Sequence, residues 1–155
     1  MIVLGIDPGT ERAGYGVVEK AGSKIKLIAA GLLKVKSKGP EGLLEIKTAS
    51  LKIIKKFHPE MMAIEKLFFA KNQKTALRVA EARGVLLTAA AESGLKIKEY
   101  GPNEVKAGIT GYGFADKKAV LKMVRLMLKE PDLEVIDDAS DALALAILGA
   151  SDIHT

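Results

Sequence analysis

The sequence predicts an α/β fold built on a five-stranded mixed sheet, its first three strands antiparallel, with helices on both faces. Three observations carry that expectation. Three strand-like runs open the chain and are joined by short links, which favour hairpins. Longer segments follow in which apolar residues recur at spacings of three and four. Two further strand-like runs alternate with those segments, the pattern of a sheet flanked by helices.

Taken in order, Ile2 to Ile6 is rich in β-branched residues and ends at Asp7, after which Pro8-Gly9-Thr10 turns the chain. Tyr15 to Val18 and Ile25 to Val35 read as the next strands, linked through Ala21-Gly22-Ser23. Gly39-Pro40 introduces an amphipathic helix over Gly42 to Phe57, with Leu44, Ala49, Leu51 and Ile54 on its apolar side. Lys47, Lys52, Lys55 and Lys56 occupy the other side. Met61 to Ile64 is a short apolar strand that delivers Glu65 at its end, as the first strand delivers Asp7. A long helix is expected from Gln73 to Ser93, where Leu77, Ala80, Gly84, Leu87 and Ala91 repeat, and Gly94 closes it. Leu95 to Tyr100 is the fifth strand. Pro102 to Lys106 reads as a helical turn and Gly108 to Gly113 as a mobile glycine-rich loop. Asp116 is placed to cap a helix from Lys117 to Lys129, with Val120, Met123, Val124, Met127 and Leu128 inward. Lys118, Lys122, Arg125 and Lys129 form its outer stripe. A final helix, Asp138 to Ala150, is crowded with Ala, Leu and Ile, and Asp137 is expected to cap it.

At 155 residues the chain is expected to form a single domain, 1–155, able to bury roughly 68–70% of the surface it exposes unfolded. It contains no cysteine, which excludes disulfides, thiolate zinc sites and a cysteine nucleophile, and fits a reducing cytoplasm. The longest apolar stretches, Gly84 to Ala91 and Ala142 to Ala150, are about half the ~18 residues of a membrane span. Met1 leads directly into a strand, so neither a leader peptide nor a membrane partner is expected. A formal net charge of +5 favours a polyanionic partner.

Four acids stand out by position. Asp7 and Glu65 end two strands, where side chains sit on rigid backbone yet escape the core. Asp138 and Asp141 lie three apart, one turn along one helix face. Taken singly each has an ordinary explanation: a turn opener, a solvated charge, or first-turn acids favoured by the helix dipole. Brought together they would repel, and a divalent cation would neutralise them. Oxygen ligands select Mg²⁺, with Mn²⁺ as a substitute. Two such ions can activate a water and stabilise the leaving oxygen of a phosphodiester, which is nuclease chemistry.

The chain also resembles the RuvC family of Holliday junction resolvases, in the RNase H-like superfamily. The resemblance is carried by Gly5-Ile6-Asp7-Pro8-Gly9-Thr10 with Gly14-Tyr15-Gly16, by Ala63-Ile64-Glu65 running into Phe68 and Ala70-Lys71-Asn72, and by Asp138-Ala139-Ser140-Asp141-Ala142-Leu143-Ala144. Ala82-Arg83-Gly84 and Ala115-Asp116-Lys117 lie between them at the family's spacing. It implies an RNase H-like nuclease domain with catalytic, metal-binding carboxylates at Asp7, Glu65, Asp138 and Asp141. It further implies a homodimer that nicks two strands of like polarity on a four-way DNA junction, beside a branch-migration motor. Phe68 matches an aromatic that contacts a distorted base, and Lys106 and Lys117 match basic positions near the active site. Lys71, Lys74 and Arg78, at helical spacing after Glu65, are read as tracking a DNA arm.

Other readings stay open on the residues alone. Asp7-Pro8-Gly9-Thr10 is shared with a phosphate loop of actin-like ATPases and sugar kinases, a fold that needs two such domains. A related nuclease of ribosomal RNA precursors has a similar Asp-Pro-Gly start, and the Phe68 to Asn72 segment argues against it. An architectural protein that binds junctions without cutting them has no use for four intact acids.

Overall fold

The computed structural model describes residues 1–9, 11–67 and 73–152. Strands β1 (Ile2–Asp7), β2 (Arg12–Ala21) and β3 (Lys24–Lys34) are followed by helix α1 (Gly39–Phe57), strand β4 (Met61–Glu65), helix α2 (Gln73–Glu92) and strand β5 (Lys96–Tyr100). Helices α3 (Pro102–Thr110), α4 (Lys117–Leu128) and α5 (Asp137–Ser151) complete the described chain. The five strands form one sheet in the order β3-β2-β1-β4-β5. β1 pairs antiparallel with β2, and β2 with β3, whereas β4 runs parallel to both β1 and β5. The mixed sheet expected from the sequence is therefore present, with its first three strands antiparallel.

Side-chain alternation along the strands divides the core into two layers. Leu4, Ile6, Val17, Met62 and Ile64 point to one face and are covered by Ile46 and Ile54 of α1 with Ala82, Leu86 and Ala90 of α2. Val3, Val18, Met61 and Ala63 point to the other, against Leu143, Ala146 and Ile147 of α5 and residues of α3 and α4. Almost every residue of α5 from Ala139 to Ala150 is buried, Asp141 apart. Because the period is two, Asp7 follows Val3 and Gly5 to the α5 face, and Glu65 follows Met61 and Ala63 there. The sheet thus aims both acids at the same helix.

Several local expectations are corrected. The helix after β5 continues past Lys106 through Gly108 and Ile109 to Thr110, because Ile109 is buried and Gly108 packs tightly on Leu148. The loop expected over Gly108 to Gly113 is therefore shorter. On α2 the buried stripe is Ala82, Leu86, Ala89 and Ala90, not the one through Leu77, Gly84 and Ala91. Leu77 is 62% exposed. On α1 Ile46, Ser50 and Ile54 face inward, and Leu44 is 64% exposed. Small apolar residues on all sides of α2 left the direction of its core face undetermined until α1 packed beside it. Asp137 does not cap α5: Ile136 holds that position without a side-chain bond, and Asp137 lies in the first turn. Asp116 does cap α4, accepting from the Ala119 amide at 2.8 Å. Arg125 leaves the outer stripe of α4, its guanidinium donating twice to the Leu133 carbonyl at 3.0 and 2.8 Å.

Candidate active site

β1 and β4 are parallel neighbours with Ile6 opposite Ile64, so Asp7 and Glu65 leave the sheet side by side. α5 then crosses this end of the sheet at contact distance. Gly14, opposite Asp7 on β2, lies so close that an added methyl group would meet the Asp138 carbonyl oxygen at 1.9 Å. At Gly5 the same group would lie 1.9 Å from the Ala142 carbonyl oxygen. Only residues without a side chain allow this approach, and it carries Asp138 and Asp141 to the strand ends. Asp7, Glu65 and Asp141 line one cavity of about 190 Å³, together with Lys106 of α3, Lys117 of α4 and apolar walls from Val105, Val120 and Leu145.

The electrostatics follow from that packing. Burial, reinforced by the charges of Glu65, Asp141 and Asp138, pushes the Asp7 carboxyl up from 3.8 to about 8, against a smaller opposing pull from Lys117. Glu65 is raised by burial and by Asp141, with Lys106 and Lys117 opposing. Asp141 is raised by burial in spite of Lys117, whose ammonium lies 3.5 Å away. Lys117 is in turn held protonated above its usual range, chiefly by Asp141. Acids that resist ionisation because they are buried, and buried beside one another, are a place for a cation.

Asp138 stands at the rim rather than inside the cavity. Its carboxylate accepts from the Arg12 side chain at 2.7 Å. Arg12 was not singled out in the sequence, since it sits 126 residues away and only the β2–α5 contact joins the two. Arg83 was quoted only as part of a motif. Its Nε donates to the Glu65 backbone carbonyl at 2.9 Å while its guanidinium pairs with Glu99, so it braces the strand end that presents Glu65.

The other expected contacts are dispersed. Lys106 and Lys117 line the same cavity as Asp7, Glu65 and Asp141. Arg78 lines a different cavity, of about 290 Å³, with Lys36 and Lys38 between α2 and the connection from β3 to α1. Lys74 lies in the first turn of α2 with an exposed side chain. Phe68, Lys71 and the motif residues Thr10, Ala70 and Asn72 lie outside the described residues.

The donor set suits a divalent cation. Asp7, Glu65 and Asp141, with Asp138 beside them, offer hard oxygen ligands whose mutual repulsion such an ion relieves. Among the described residues no three acids or imidazoles already surround a single point. Asp141 leans toward Lys117 and Asp138 toward Arg12, as repelling acids do when ammonium and guanidinium groups are in reach. No helix among the described residues is long and apolar enough to cross a membrane.

Comparison with known proteins places the sequence and the fold in a family. The family model described as crossover junction endodeoxyribonuclease RuvC matches residues 3–149. The RuvC endonuclease of Thermosipho melanesiensis is 46% identical over 148 residues, covering 94% of each chain. That of Halothermothrix orenii is 44% identical over 149 residues, 95% of this chain and 90% of its own. Among solved structures, Thermus thermophilus RuvC in complex with a Holliday junction substrate superposes with a TM-score of 0.89 at 36% identity, covering 97% of this chain and 93% of that one. The yeast mitochondrial Holliday junction resolvase Ydc2, 14% identical, shares the fold with a TM-score of 0.66 over 96% of this chain and 78% of its own. With the family model matching residues 3–149 and relatives 44–46% identical over nearly its whole length, this chain belongs to the RuvC family of crossover junction endodeoxyribonucleases.

Proposed function

We propose that this chain is a dimeric, Mg²⁺-dependent endodeoxyribonuclease that resolves four-way DNA junctions in recombination and repair by nicking two strands of like polarity. The observation that carries the reading is the convergence of Asp7, Glu65 and Asp141 on one cavity whose remaining polar residues are lysines. In the proposal residues 1–155 act as one nuclease domain in the cytoplasm, with a branch-migration motor as partner.

Asp7, Glu65, Asp138 and Asp141 would hold one or two Mg²⁺ ions, with Mn²⁺ able to substitute. When bound, the ions supply an activated water and stabilise the leaving oxygen. The protein's own contribution is placement. β1 and β4 fix Asp7 and Glu65, and α5 supplies the other two acids from the opposite side. Lys106 and Lys117 present their ammonium groups at the same cavity and bind the scissile phosphate as point charges. With phosphate taking Lys117, the Asp141 carboxylate is released from its ion pair to face the cavity. Arg12 is placed to make the same exchange for Asp138. Phe68, Lys71, Lys74 and Arg78 are proposed to contact the DNA outside the reacting centre.

The homodimer is supported by the face of α2 that the fold leaves uncovered. Leu77, Gly84 and Ala91 are exposed, with Ala80 and Leu87 half-buried between them. An exposed apolar stripe of this kind suits a partner, and a second copy related by a two-fold axis matches the two-fold symmetry of a junction.

Incubating a synthetic four-way junction with the protein tests the reading, with Mg²⁺, with Mn²⁺ and in chelator, and with strands labelled in turn. The expected outcome is a symmetric pair of nicks with either ion and none in chelator. A structured RNA offered in the same buffers should stay intact. Cleavage of the RNA alone, or an uncut junction in both ions, removes the proposal; a single unpaired nick removes its dimeric part.

A further inference from the structure

Two of the exposed large apolar side chains among the described residues are rings on one short loop. Tyr112 is 61% exposed and Phe114 76%, and the rings meet edge to face with centroids 5.9 Å apart. The loop connects α3, which carries Lys106, to α4, which begins with Lys117, and both lysines line the carboxylate cavity. Phe114 lies three residues from Lys117, a reach of at most about 11 Å along the chain. Lys118, also exposed, follows.

The exposure is not slack. The Tyr112 amide donates to the Thr110 hydroxyl at 3.1 Å, and that hydroxyl donates back to the Lys106 carbonyl at 2.7 Å. The Ala115 amide donates to the Tyr112 carbonyl at 3.1 Å, Ala115 is buried, and Asp116 caps the next helix. The loop is therefore pinned at both ends while its two rings stand in water, an arrangement that hydrophobicity alone disfavours. Aromatic faces beside lysines are the elements that bind unstacked nucleobases. A continuous duplex shelters its base faces within the stack; the centre of a four-way junction, where stacking is interrupted, does not.

We propose that Tyr112 and Phe114 form a stacking platform for a nucleobase exposed at the branch point, with Phe114 in contact and Tyr112 bracing its edge. The inference rests on the junction-nuclease reading and extends it by assigning a base-contacting element on the α3–α4 loop, separate from Phe68.

The chain has no tryptophan, so Phe114→Trp creates a single indole reporter on the platform. In divalent-free buffer, a four-way junction should quench that emission saturably, and a linear duplex of the same sequence should not. Phe114→Ala should weaken junction binding roughly 5- to 100-fold, the range expected for one stacked base. Phe114→Leu should be nearly as weak, and Phe114→Trp close to the unaltered protein. Unchanged indole emission at saturating junction, or full affinity in Phe114→Leu or Phe114→Ala, overturns the inference and points to a protein partner for the rings, with the nuclease reading intact. Failure of the unaltered protein to bind any junction overturns both.

Discussion

On the α5 face of the sheet, backbone meets backbone: Gly5 and Gly14 lie against main-chain oxygens of α5, with no room for a methyl group at either. On the α1 and α2 face, contact is made by side chains such as Ile46, Ile54 and Leu86. The first face carries the acids and the second carries none of them. Side-chain packing can absorb small shifts by changing rotamers, whereas backbone contact through glycine fixes a helix to a fraction of an ångström. Close tolerance is found where the positions of Asp138 and Asp141 relative to Asp7 depend on it.

The largest effect is expected at Asp7 itself. Asp7→Asn should lower junction cleavage by about 100-fold or more, as loss of a charge-stabilising group in a buried site does, with junction binding retained. The same change should stabilise the cation-free protein. Asp7 keeps its proton in the folded state up to about pH 8, while an unfolded aspartate loses it near 3.8. Between those values the unfolded chain binds fewer protons, so cation-free stability falls as pH rises across that window. In chelator, Asp7→Asn should therefore melt on the order of 4–8 °C above the unaltered protein at pH 8, with the gap shrinking toward pH 5. Equal melting of the two proteins at both pH values would sink the electrostatic account.

A smaller loss, on the order of 10- to 100-fold in cleavage, is expected for Gly5→Ala, because a shift of about 1 Å in a catalytic group has that scale of cost. The substitution forces α5 off the sheet and should also lower stability by about 1–3 kcal/mol, measurable by urea unfolding. Leu86→Ala supplies the contrast from the opposite face. It should destabilise by roughly 2–5 kcal/mol as a buried leucine truncation, yet leave cleavage by the folded protein within about twofold. Should Leu86→Ala slow cleavage as much as Gly5→Ala at a temperature where both are folded, the difference between the faces does not hold.

Much of this was legible in the residues. Asp7 and Glu65 could be placed at strand ends because an apolar run that stops at an acid marks where backbone leaves the core. The i, i+3 spacing of Asp138 and Asp141 set them on one helix face. Less was visible on α2, where the spacing points to the stripe through Leu77 while Ala82, Leu86, Ala89 and Ala90 are the buried one. The contacts of Arg12 and Arg83 were not legible because an arginine's role depends on which chain segment lies opposite it. The continuation of α3 past Gly108 was hidden by that glycine, whose presence reflects packing against Leu148, not a loop.

By itself the sequence determined the order of strands and helices, the mixed sheet, the absence of thiol chemistry and which acids end strands or share a helix face, because these depend on periodicity and residue type along the chain. Tertiary structure decided what depends on distance between remote segments. It placed β4 parallel to β1, brought α5 onto Gly5 and Gly14, and gave Asp138 to Arg12 and Asp141 to Lys117. It also raised Asp7 to about 8, since a carboxyl's affinity for its proton is set by burial and by neighbouring charge, and neither exists until the chain has folded.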